Sequence, residues 1–80
     1  YVGDITTSDE SNGMVEILVK NRFGIGDRLE IIHPSGNRII ELDYMQDHKG
    51  KTIDIAPGSG HRVRIPLTGN VEKAFIAKLL

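Results

Sequence analysis

Apolar residues recur at every second position along most of this chain, and turns rich in Gly, Pro, Asn and Asp interrupt them about every ten residues. That pattern predicts an all-β fold, a small sandwich or a small distorted β-barrel of antiparallel strands. Tyr1 to Thr7 reads as a first strand, followed by a polar loop from Ser8 to Gly13. Met14 to Lys20 places Val15, Ile17 and Val19 on one face and Glu16 and Lys20 on the other, with Leu18 interrupting the polar set. A bend over residues 21–27 holds Phe23, Gly24, Ile25, Gly26 and Asp27 and leads into a strand from Arg28 to Ile32. His33-Pro34-Ser35-Gly36-Asn37 is a tight reversal, because Pro34 presets φ and Gly36 allows a positive one.

Arg38 to Tyr44 is expected to pair back on Arg28–Ile32, with Ile40, Leu42 and Tyr44 on one face. A turn at residues 47–50 and a short strand from Thr52 to Ile55 follow. In the next loop Pro57 is stiff, while Gly58 and Gly60 are free to adopt unusual φ values. His61 to Leu67 alternates Val63, Ile65 and Leu67 with Arg62, Arg64 and Pro66; Pro66 marks an edge or the end of pairing. The tail fits two periods: Val71, Phe75, Ile76, Leu79 and Leu80 make a helical stripe, whereas Phe75, Ala77 and Leu79 share one strand face. A strand from about Ala74 is the expectation, since a sheet of this size needs a partner for its edges.

Composition narrows the chemistry. The 80 residues hold two Phe, two Tyr and no Trp, so the core is aliphatic, and a chain this short buries only ~60% of the surface it exposes when unfolded. The absence of Cys excludes disulfides, zinc ribbons, thiol nucleophiles and thiolate-held clusters within these residues. No apolar run is long enough to span a bilayer as a helix, no targeting pattern is present, and no membrane partner is expected. The chain starts at Tyr1 rather than Met, and a single small domain cut from a longer protein is expected.

No catalytic constellation emerges. Ser59 is flanked directly by Gly58 and Gly60, which is not the spacing of a nucleophile elbow, and Ser35 belongs to a turn. His33, His48 and His61 show no metal-ligand spacing. Gly24-Ile25-Gly26 begins like a dinucleotide fingerprint, but Leu29 stands at the third glycine position and a strand follows. What remains is charge placement. The net charge of −1 conceals a split, −4 over residues 1–16 and +3 over residues 17–80. Lys20 and Arg22 border the glycine bend, and Arg62 and Arg64 share a strand face; together they would form a modest basic patch suited to phosphate contacts.

Residues 19–32, with the pattern Lys20-Asn21-x-Phe23-x-x-Gly26-Asp27-x-Leu29-Glu30, then Pro34-x-Gly36, Ala56 to His61 and the Val63–Leu67 strand, resemble the C-terminal domain of peptidase U family 32. The tRNA-hydroxylating branch of these collagenase-like proteins is the more similar. The Gly26-Asp27 step before an apolar strand is also similar to the second β-barrel domain of translation elongation factors. The resemblance implies a cytoplasmic, non-catalytic accessory barrel, whose partners are its own N-terminal catalytic region and tRNA. An iron–sulfur cluster and the activity, either wobble-uridine hydroxylation or the hydrolase activity of a peptidase, would reside in that N-terminal region.

On this reading Lys20, Arg22, Arg62 and Arg64 contact phosphate, and His61 is their polar neighbour. Phe23 is a loop anchor together with Ile25, or alternatively a stacking platform for a base. The glycines Gly24, Gly26, Gly36, Gly58 and Gly60, with Asp27, Pro34 and Pro57, are expected to shape turns. The alternatives are a module that binds a protein substrate along an exposed strand and a purely structural or dimerising domain.

Overall fold

The computed structural model describes residues 1–9, 13–69, 71 and 73–79. Its strands are β1 (Gly3–Asp9), β2 (Met14–Val19), β3 (Phe23–Gly24), β4 (Arg28–Ile32), β5 (Arg38–Glu41), β6 (Gln46–Asp47), β7 (Ile55–Ala56), β8 (Arg62–Pro66) and β9 (Phe75–Leu79). Among the described residues, seven of them form one curled antiparallel sheet in the order β5-β4-β9-β1-β2-β8-β6, a half-barrel, and β3 pairs with β7 as a separate ribbon. None of these residues forms a helix long and apolar enough to cross a membrane.

The alternation read from the sequence sets the long strands. Val15, Ile17 and Val19 of β2, Leu29 and Ile31 of β4, and Val63 and Ile65 of β8 all point into the concave core. Each such aliphatic side chain contributes about 1.5–3 kcal/mol by leaving water. The register places Leu18 opposite Arg62 and Glu16 opposite Arg64, so these four residues share the outer face, while Ile17 and Val63 between them turn inward. β8 ends at Pro66, opposite Met14, where a residue without an N–H costs least.

The tail is a strand, and it lies inside the sheet rather than at an edge: β9 pairs with both β4 and β1. Its inward face differs from the expected one. Ile31 stands opposite Ile76, which is fully buried with Ala74 and Val71, while Phe75 is left 41% exposed on the outer face. Leu80 of the expected stripe and residues 10–12 of the expected polar loop lie outside the described residues, and β1 runs on through Ser8 and Asp9.

Other expectations shift in the second quarter of the sheet. The strand expected over Arg38 to Tyr44 stops at Glu41, because the Leu42 N–H donates to the Asp27 carbonyl and the Gly26 N–H donates to the Leu42 carbonyl. The chain bends there, burying Leu42 and Met45 and turning Tyr44 outward. In place of a strand from Thr52 to Ile55, Thr52 makes one bridge to Gln46, and pairing resumes only at Ile55–Ala56, against Phe23–Gly24. Phe23 is 1% exposed and anchors the bend, whereas Ile25, at the turn tip, is 39% exposed and not in the core.

Candidate functional site

No polar side chain is buried among the described residues, so the chemistry this chain can offer lies on its surface. No three His, Asp or Glu side chains among them converge as a metal site. Ser35 is committed to its turn: its N–H and hydroxyl both reach His33 Nδ1, at 3.1 and 2.6 Å, while Gly36 N–H donates to the His33 carbonyl at 3.0 Å.

The glycine bend is a closed turn. Asp27 N–H donates to the Gly24 carbonyl at 3.1 Å, and Gly26 sits at φ +92°, a conformation side chains rarely adopt. The Asp27 carboxylate accepts the Gly24 N–H at 2.8 Å and faces Lys78 Nζ at 3.5 Å. Asp27 therefore holds the turn together. Arg22 lines a groove beside this turn together with Lys78.

Lys20, His61, Arg62 and Arg64 lie along the β2–β8 pair and the loop that precedes β8. Val19 N–H donates to the His61 carbonyl at 2.8 Å and Gly60 N–H to the Val19 carbonyl at 3.0 Å, which fastens the end of β2 to the glycine loop. Lys20 follows directly, exposed beside that loop and two residues beyond Leu18, the partner of Arg62. Arg62 donates to Glu16 Oε1 at 2.9 Å with its side chain still 51% exposed, and Arg64 donates to the His48 carbonyl at 3.3 Å. An exposed ion pair of this kind is worth about 0–1 kcal/mol, so Arg62 can exchange Glu16 for a stronger anion at little cost. Phe23 cannot serve as a stacking platform, because its buried ring presents no face to a base.

The Glu16 carboxyl is held below the usual glutamate range, first by the Thr6 hydroxyl, which donates to Oε1 at 2.8 Å, and then by Arg62, against the opposing effect of partial burial. A carboxyl depressed in the folded state adds stability that is present above its unfolded-state value and is lost as pH falls through the folded-state value. Acidification through that window is expected to lower the urea midpoint of the chain. Glu16→Gln should be less stable than the parent at neutral pH and show a shallower acid limb, the two curves converging at low pH. Asp47, depressed chiefly by the Lys51 backbone N–H, contributes in the same direction.

One association was not visible in the sequence. His48 and His61 line the same groove, because β6 pairs Gln46 with Arg64 and Asp47 with Val63 and so delivers the following turn to the start of β8. A two-residue strand has no period to read, so no local signal could have placed them together.

The family model described as the Peptidase family U32 C-terminal domain matches residues 1–78. A tRNA hydroxylation protein P of Escherichia coli (strain K12) is 36% identical over 72 residues, covering 90% of this chain and 16% of that protein. Its namesake in Haemophilus influenzae (strain ATCC 51907 / DSM 11121 / KW20 / Rd) is 35% identical over 82 residues, covering 100% of this chain and 18% of that protein. The chain thus spans less than a fifth of the length of these relatives. Two crystal structures of the C-terminal domain of a Geobacillus thermoleovorans protein assigned to the U32 peptidases, one a selenomethionine variant, share the fold at TM-scores of 0.90 and 0.89. Both are 20% identical; they cover 100% and 98% of this chain, and this chain covers 92% and 98% of theirs. With nearly its whole length matched, the chain belongs to the family of peptidase U32 C-terminal domains.

Proposed function

We propose that this half-barrel is a non-catalytic accessory domain that helps hold tRNA for wobble-uridine hydroxylation by the N-terminal region of a longer, cytoplasmic protein. The observation that carries the reading is the placing of Arg62 and Arg64 on the outer β2–β8 face, with Lys20 and His61 at its glycine-loop end. Kinship to the tRNA hydroxylation proteins supports it. The residues here do not fit an iron–sulfur cluster, since the chain has no Cys and no cluster of other ligands among its described residues. Any such cluster belongs to the N-terminal region.

Phosphate contacts by exposed cations give affinity without sequence preference and make it depend on salt. Arg62→Ala with Arg64→Ala is expected to weaken tRNA binding by the chain about tenfold and to lower the salt slope by about two, read by fluorescence anisotropy across a salt series. Equal affinity and slope would remove the reading. A second reading, a structural module packed against the rest of a longer protein, is favoured by the exposed outer pair Tyr1 and Phe75. Their ring centroids lie 6.1 Å apart, edge to face, on a sheet surface that would ordinarily be polar. The same titration separates the two, because only the first gives a salt-dependent effect of the arginines.

A further inference from the structure

The outer-face cations can track a backbone, but one recess beside them has the walls to receive a base. The turn after β6, the segment running through β7 and the start of β8 enclose a groove of about 290 Å³. Its apolar lining is Ile53, Ile55, Pro57 and Val63, and Ile55 is 41% exposed on a strand of two residues, an apolar surface that no core covers. Its polar lining is Asp47, His48, Lys49, His61 and Arg62.

The acid in that lining is already engaged. Asp47 Oδ1 accepts the backbone N–H groups of Lys49 and Lys51, each at 2.9 Å, within its own turn. Arg64, donating to the His48 carbonyl, ties that turn to β8. His61 Nδ1 donates to the Gly58 carbonyl at 3.3 Å, which orients the ring and leaves Nε2 for an outside partner. The result is an apolar surface with nitrogen donors beside it, in a groove whose turn and strands are held by these hydrogen bonds and pairings.

We infer that this groove takes a single unpaired nucleotide of the bound RNA. The base lies on Ile53, Ile55 and Pro57 beside the two imidazoles, and the phosphate meets Lys49 and Arg62. Imidazole and guanidinium groups stack on bases, and an unstacked nucleotide offers a flat apolar face attached to an anion, the complement of this groove. The volume, about 290 Å³, lies just below the ~300–1,000 Å³ range of ligand pockets, which suits one nucleotide and excludes a duplex. The inference rests on the tRNA-holding reading and adds to it a place and a form of recognition, a captured base rather than a tracked backbone.

The test uses the chain with its isoleucine δ1 methyls isotopically labelled, titrated with a short uridine oligonucleotide, an abasic ribose-phosphate oligomer of equal length, and tRNA. The methyls of Ile53 and Ile55 are expected to shift while those of the core residues Ile17 and Ile65 stay in place. Lys49→Ala and Ile55→Thr should each weaken oligonucleotide binding about 5- to 10-fold, and Lys49→Ala should also reduce the salt slope by about one. Unmoved core methyls in both variants would show that the fold is intact. Oligonucleotide binding with shifts confined to other methyls, parental affinity in both variants, or equal binding of the abasic oligomer would overturn the groove while leaving the tRNA-holding reading in place. No binding of either RNA at about 50 mM salt would overturn both.

Discussion

Phe23→Ala is expected to remove about 3–5 kcal/mol of folding stability, the cost typical of deleting a buried aromatic ring. Phe23 is 1% exposed, pairs across the ribbon with the fully buried Ala56, and is one of only two Phe in the chain. Its neighbours in the core are aliphatic and already packed, so little can move in to fill the space. A domain of this size holds about 4–12 kcal/mol in total, which makes the loss a large fraction of the whole. Urea unfolding followed by far-ultraviolet circular dichroism should show the midpoint falling steeply. The opposite pattern, parental stability with weakened RNA binding, would mean that the ring works at the surface after all.

Gly3→Ala is the second large effect, expected at about 3 kcal/mol, the upper part of the usual range for overpacking. Gly3 faces the core from β1, and a β-carbon there would lie 2.7 Å from both Ile17 Cγ2 and the Leu18 carbonyl oxygen. Ile17 is fully buried, and β1 is held on one side by β2 and on the other by β9, so neither neighbour can retreat. Gly24→Ala is a useful comparison. Its β-carbon would lie equally close, 2.7 Å, to the Asp54 carbonyl oxygen, but the two-stranded β3–β7 ribbon can shift as a unit. Thermal unfolding of both variants should place Gly3→Ala clearly below Gly24→Ala; the reverse order would show that β1 is the more yielding element.

These positions mark the boundary of what the sequence reveals. Alternation in Met14–Val19, Arg28–Ile32 and Arg62–Pro66 reports the pleat directly, so their buried faces and the outward Arg62 and Arg64 could be read residue by residue. The tail carries apolar residues on both faces, and only the pairing of Ile31 with Ile76 decides which set turns inward. Leu42 and Met45, three residues apart, are both buried because the backbone bends at bonds to Gly26 and Asp27, contacts made across a turn and invisible to any local period. The Arg62–Glu16 ion pair follows from a register joining residues 46 positions apart. His48 and His61 share a groove for the same reason, since the two-residue β6 that brings them together is specified by its partner and not by its own sequence.

The position of β9 has a consequence for how the molecule is assembled during synthesis. The strand formed by residues 75–79 joins the β4–β5 hairpin to the β1–β2–β8–β6 portion, and it is the element of the main sheet translated last. Until it leaves the ribosome, the two portions are separate half-sheets with facing unpaired edges, and the contacts that unite them are far apart in sequence. Non-local pairing of this kind folds slowly and exposes edges that other chains can capture. Nascent copies are thus most prone to association just before the final strand inserts, and that insertion closes both edges in one step.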